Sequence, residues 1–261
     1  MIKRAIIIGD TQVKPGESLD FLDHIGDYIA DKQPDLIVHI GDHWDFPSLS
    51  SYDRGKLSFE GRRVSADIAA GHDGMQRIVG PMRDLQHQQR KNKKRIYNPR
   101  MIFTAGNHED RFDRLVRDQP ELDGWAGVDT LGIEDYGFEF YPYLEPVQVE
   151  GVTFVHYVAN PMTGKPYGGS ALNILKNAGN SFVMGHKQVL DIAVRPKLDG
   201  QMQIAIVNGA CYPHDEAYKG PQGNTHFRGL TVLHNLENGY GDPMFVSLDF
   251  LESRYVEKYG R

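Results

Sequence analysis

A single cysteine, Cys211, is all that 261 residues offer for cross-linking, so no internal disulfide can form. A lone thiol fits a reducing compartment, and Cys211 reads as an inert small residue near a strand end. No apolar stretch reaches the length of a membrane-spanning helix. The apolar run at residues 5–8 is cut by Gly9-Asp10, too early for the hydrophobic region of a signal peptide. It reads instead as a first strand, and the expectation is a cytoplasmic protein with no membrane partner. An excess of positive charge is missing too. The formal net charge is −6, which excludes broad electrostatic attraction to nucleic acid. A nucleic-acid substrate stays open, because bound divalent cations would reverse the local field. Repeats, low-complexity tracts and obvious linkers are also lacking. What is present is ordinary for a globular chain: 40% hydrophobic and 25% charged residues, enough to bury a sizeable core.

Apolar runs predict strands at residues 3–8, 36–40, 101–105, 152–157, 181–184, 190–194, 203–207, 230–236 and 244–250. Leu19, Leu22, Ile25 and Ile29 have helical spacing, which predicts a helix over residues 18–32. Residues 62–89 also read as helix, with interruptions expected at Gly71, Gly74 and Pro81. Residues 171–176 predict one short helix. Alternating strands and helices come first and mostly strands after. That order suits an α/β fold in one domain over residues 1–261: a four-layer αββα sandwich of two mixed sheets flanked by helices. Residues 46–100 read as a helical and loop insertion near the rim of the site.

Three successive strands end in Gly-Asp or Gly-Asn: Gly9-Asp10, Gly41-Asp42 and Gly106-Asn107. Ligands of open α/β sheets bind at the carboxyl ends of strands, where these side chains would converge. His156 and His186 also follow apolar β runs. Carboxylates, a carboxamide and imidazoles from separate strand ends make a mixed oxygen and nitrogen site for a divalent metal.

Gly41-Asp42-His43-Trp44-Asp45, Gly106-Asn107-His108-Glu109 and Gly185-His186-Lys187-Gln188 resemble the spaced motifs of calcineurin-like metallophosphoesterases. Asp10 falls where that family places its first aspartate, and the resemblance runs from about residue 5 to residue 190. It implies a site for two divalent metal ions. Asp42 would bridge them, Asn107, His156 and His186 would complete the shell of the second, and Asp10 would serve the first. His108 maps to the general acid and Asp45 to the carboxylate that orients it; such a partner fixes the imidazole tautomer and raises its basicity.

Two departures strike one ion. Where the family has histidines, this chain has Gln12 and Gln188. The first ion would then have only oxygen donors, from Asp10, Gln12, Asp42 and Gln188, a shell that suits Mn²⁺ or Mg²⁺ better than zinc and binds less tightly than imidazole. Such a position can be weak or empty. The arginine that follows the orienting aspartate in the family's protein phosphatases is replaced here by Phe46-Pro47, which counts against a phosphoserine substrate.

The resemblance thus implies hydrolysis of a phosphate ester by in-line attack of a metal-bound hydroxide, with a phosphodiester of nucleic acid or a nucleotide derivative as the favoured substrate. The alternatives are a small-molecule phosphomonoesterase and a non-catalytic scaffold on the same fold. His43 and Arg111 are candidate substrate contacts, His43 with an equal claim to a supporting role. Trp44 and Phe46 read as packing under a loop before they read as base-stacking platforms. The basic run at residues 90–95 reads as a solvated helix end, and otherwise as a phosphate-backbone contact. His214 and His226 lie in a Gly/Pro-rich stretch that could form a rim loop. The overall pattern resembles phage-encoded members of the family.

Overall fold

Along the first strand, alternate side chains go to different cores. Ile6 and Ile8 pack with the helices, Ala5 and Ile7 with a second sheet. A strand buried on both faces is apolar throughout, which is why these segments read as unbroken runs. The computed structural model describes residues 1–52, 55–216 and 219–259.

The first sheet has the order β11-β10-β1-β2-β3-β4. Its strands are β1 (Ile2–Ile8), β2 (Leu36–His39), β3 (Arg100–Thr104), β4 (Glu139–Tyr141), β10 (Gly229–Glu237) and β11 (Tyr240–Ser247). β1 to β4 run parallel, while β10 lies antiparallel on the open edge of β1. The second sheet has the order β5-β6-β7-β9-β8. It is built from β5 (Val147–Val149), β6 (Val152–Phe154), β7 (Phe182–Met184), β8 (Asp191–Pro196) and β9 (Met202–Val207), the three central strands parallel. Ile7, Val38 and Ile102 of the first sheet meet Phe154, Val183 and Ile206 of the second. Outside the first sheet lie helices α1 (Asp20–Lys32) and α2 (Val64–Lys91), outside the second lies α4 (Ala171–Ala178), and α3 (Asp110–Asp118) and the single-turn α5 (Gly220–Gly223) lie in connecting segments. The expected α/β sandwich of two mixed sheets flanked by helices is what the chain forms.

Three expectations need correction. α2 runs 28 residues through Gly71, Gly74 and Pro81 without interruption. The glycines are contact points: a Cβ on Gly71 would lie 1.8 Å from the Trp44 ring nitrogen, and one on Gly74 would lie 2.9 Å from His43. Secondly, α2, within the stretch read as a helical and loop insertion near the rim, also forms part of the core, since Met75, Ile78, Val79 and Met82 are buried on it. Thirdly, the last predicted strand ends at Ser247, whose hydroxyl accepts from the Phe250 N–H at 3.2 Å and caps helix α6 (Leu248–Tyr255). The basic run lies exposed at the C-terminal end of α2, ahead of the amino end of β3. That is the opposite end of the sheet from Gly106-Asn107, so the solvated helix end is the reading that stands. Arg90 and Lys91 there complement the helix dipole.

Gly71→Ala is expected to destabilise the fold by about 1–3 kcal/mol, the usual cost of overpacking a filled core. Trp44 is fully buried and cannot withdraw from the new methyl group. Denaturant unfolding measures this, and wild-type stability in the variant would contradict the packing described.

Candidate metal centre

Asp10, Asp42 and Asn107 follow β1, β2 and β3, and His156 and His186 follow β6 and β7. The cluster therefore joins the carboxyl ends of parallel strands from both sheets. Ligand atoms of Asp42, His156 and His186 lie within 4.8 Å of one another. Asn107 Oδ1 sits 3.0 Å from His156 Nε2 and 2.7 Å from His186 Nδ1. His156 Nδ1 is 2.8 Å from the Ile40 carbonyl, so that nitrogen carries a proton and Nε2 is the one turned to the cluster. Asp42, Asn107, His156 and His186 thus offer oxygen and imidazole donors to one point, which fits a divalent transition ion.

The loops are held under strain. Gln12, Asp42, Phe46, His186 and Gln188 all take positive φ, at about 1–3 kcal/mol each for a side chain with a Cβ. Close approach explains two glycines: a Cβ on Gly106 would lie 2.1 Å from Asp42 Oδ1, and one on Gly185 would lie 2.2 Å from Asp10 Oδ1.

Glu109, given no role in the sequence reading, fastens these loops. Its buried carboxylate accepts from the N–H groups of Asp42 (2.8 Å), His43 (2.7 Å), Trp44 (3.0 Å) and Gly106 (2.8 Å). Burial and the Asp42 charge push its pKa up to about 7, against the N–H donors, which favour the carboxylate. Beneath the site, Gly41 N–H donates to His39 Nδ1, leaving His39 Nε2–H to meet Thr11 Oγ1 at 3.2 Å. The hydroxyl donates on to His43 Nδ1 at 2.8 Å, and His43 Nε2–H reaches the Gly71 carbonyl at 2.9 Å. His43 is fully buried with both nitrogens engaged, so its expected substrate contact is corrected to a supporting role. Trp44 and Phe46 are equally buried, Phe46 stacked on Phe112, and neither offers a face to a base.

His108 Nδ1 lies 2.7 Å from Asp45 Oδ1 and 3.0 Å from the Asp45 carbonyl, while Nε2 lies 3.7 Å from Asp42 Oδ2. Burial would lower the His108 pKa, but Asp42 and Asp45 raise it on balance. Arg111 comes from a helix not foreseen, α3 (Asp110–Asp118), whose nine residues are mostly charged. Its guanidinium donates to the Asp45 carbonyl at 2.9 Å and sits 3.0 Å from His108 Nε2. These groups border a cavity of about 730 Å³, whose lining also includes Lys14, Tyr52, Arg63 and Glu216.

The residues expected around the first ion are arranged differently. Asp10 Oδ1 accepts from the His186 N–H at 3.1 Å, while its Oδ2 and the Gln12 Nε2 are buried with no hydrogen-bond partner among the described residues. Burial and Asp42 push the Asp10 pKa up to about 6. Gln188 Oε1, its only oxygen, already accepts from the Tyr212 hydroxyl at 2.9 Å and from the Lys219 ammonium. Gln188 therefore does not fit as a ligand. The stretch after Cys211 begins beside the site: Cys211 N–H donates to the Asp10 carbonyl at 2.8 Å, and His214 stacks on Tyr212. The Cys211 thiol is buried, and burial pushes its pKa up to about 12, as an inert residue requires.

Metal-free protein should carry a pH signature. Burial opposes charge on His156, but Asp42 outweighs it and raises the pKa to about 9. The folded value exceeds the value of about 6.5 in an unfolded chain, so the pairing stabilises fully below that pH and is lost as pH rises through 9. In chelator, Tm is expected to fall between about pH 7 and pH 9, and His156→Gln to shrink that fall. A wild-type Tm that holds or rises across this window would contradict the pairing.

No protein-family model matches the chain. It is similar to the Gene 54 protein of Mycobacterium phage D29, at 26% identity over 191 residues, 71% of this chain and 69% of that one. It is similar also to the Gene 54 protein of Mycobacterium phage L5, at 25% identity over 191 residues with the same coverage. One solved structure aligns with 95% of this chain and all of its own, at 13% identity and a TM-score of 0.37, too loose a likeness to compare folds. Among the described residues, no helix is long and apolar enough to cross a membrane.

Proposed function

We propose that the chain is a calcineurin-like, metal-dependent phosphoesterase that hydrolyses a phosphodiester of nucleic acid or a nucleotide derivative. The observation that carries this reading is one juxtaposition. A metal-fitting set, Asp42, Asn107, His156 and His186, lies beside a histidine, His108, that a carboxylate holds 2.7 Å away at the edge of a large cavity. A bound divalent ion supplies charge for the phosphoryl oxygens and lowers the pKa of a water.

The remaining work falls to the chain. His108, whose pKa Asp42 and Asp45 raise against the effect of burial, takes up a proton at Nε2 and delivers it to the departing oxygen. Asp45 takes the Nδ1–H and fixes the ring, and Arg111 beside Nε2 stabilises charge on the same oxygen. A cavity of about 730 Å³ on this side gives room for a large leaving group, such as the nucleoside side of a phosphodiester. Lys14, Arg63 and Arg111 in its lining suit an anionic one.

The test is turnover of bis-(4-nitrophenyl) phosphate against 4-nitrophenyl phosphate with Mn²⁺ or Mg²⁺. Faster cleavage of the diester, abolished by chelator, is expected. Preference for the monoester would replace the diester reading with a phosphomonoesterase. No turnover of either would remove the enzyme reading and leave a scaffold.

A further inference from the structure

We propose that the Lys219 ammonium stands in for one of the two metal ions that the resemblance implies, so that this chain holds a single ion. The inference builds on the reading of the site as a metallophosphoesterase centre, but its test does not depend on turnover.

Gln12 and Gln188 stand where the resemblance expects the two histidines of that ion. Of the four side chains left for that ion, Asp42 is shared with the fitting set, and Gln188 has only one oxygen to give. Oε1 of Gln188 is taken by two donors, the Tyr212 hydroxyl at 2.9 Å and Lys219 Nζ. An ion at that oxygen would displace a cation and repel it. Lys219 Nζ is held in turn by the Tyr212 oxygen at 2.9 Å. Burial lowers the Lys219 pKa, and the carboxylates of Glu216 and Asp10 act against that to favour the ammonium.

The frame around this contact is rigid. Gln188 is buried, with positive φ. Tyr212 is fully buried next to Cys211, whose N–H donates to the Asp10 carbonyl. One connected unit therefore carries Asp10, Gln188, Tyr212 and Lys219. Asp10 Oδ2, buried and without a hydrogen-bond partner among the described residues, is the acceptor this cation leaves to electrostatics alone. An ammonium is a compact charge with three donors, able to satisfy oxygen acceptors where a divalent ion lacking imidazole would bind weakly. Replacing both histidines and supplying a lysine amount to one change: a removable cation is exchanged for one on the chain.

The measurement is Mn²⁺ titration of the full-length, chelator-treated protein by calorimetry. Wild type is expected to bind one ion per chain. Gln188→His alone should still bind one, because Lys219 remains. Gln188→His combined with Lys219→Met should bind two, and Lys219→Met alone should gain a second, weaker event. Two ions in wild type or in Gln188→His alone would overturn the proposal, and so would one ion in a folded combined variant. Should the combined variant fail to fold, wild-type stoichiometry still decides. If the proposed activity fails while the titrations come out as expected, the fault lies with the phosphoesterase reading and not with the lysine.

Discussion

An Asp42→Asn variant is expected to lose metal and turnover together. Asp42 Oδ1 accepts from the His108 N–H at 2.9 Å, and Oδ2 lies 3.3 Å from His156 Nε2, so the carboxylate touches both halves of the proposed machinery. Burial would raise its pKa, yet His108 and His156 hold it well below the usual carboxylate range, and it stays charged at any working pH. Asparagine keeps the shape and tolerates the positive φ of this position, which alanine would strain. The variant therefore removes charge with little else. Partners of metal ligands cost about 10–100-fold in affinity when lost, and a ligand itself should cost at least as much. Turnover should fall by at least about 10²-fold, the effect of removing one preorganised charge-stabilising group. Metal analysis and single-turnover kinetics read the two losses. Wild-type values for both would dismantle the site assignment.

Replacing His108 with alanine should separate what Asp42→Asn joins. Turnover is expected to drop by about 10²–10⁴-fold, the usual contribution of a general acid, with metal content unchanged. The drop should be largest for alkyl leaving groups and smallest for nitrophenolate, which departs without a proton. Arg111→Ala should follow the same trend with a smaller amplitude, because its guanidinium sits 3.0 Å from the same nitrogen. An equal defect across leaving groups of different pKa would take His108 out of the acid role.

Much of this arrangement was legible in the chain. Fully buried parallel strands cannot alternate polar and apolar residues, so β1, β2 and β3 announce themselves as runs. The residues that close those runs, Asp10, Asp42 and Asn107, come together because the strands do. Contacts between distant segments were not legible. Glu109 meets the N–H of His43 across 66 positions, and Lys219 meets Gln188 across 31. No spacing rule links either pair. His43 misled because it adjoins Asp42, although neighbours in a loop turn opposite ways, one to the cluster and one into α2. α3 was missed because, of its nine residues, only Phe112, Leu115 and Val116 are apolar, too few to set a period against the charges. The first turn of α6, residues 248–250, was read as strand because its apolar residues directly continue those of β11.

The first sheet is closed by the last strands, since β10 pairs with β1 and joins Ile2 to Leu236. During synthesis β1 (Ile2–Ile8) is made long before its partner β10 (Gly229–Glu237). At about 5–20 residues per second, the open edge of β1 waits roughly 10–50 s for β10. An apolar strand with unpaired backbone groups is an aggregation template for that interval. Ribosome-bound chains stalled before residue 229 should therefore be protease-sensitive in β1 however well α1 and α2 have formed.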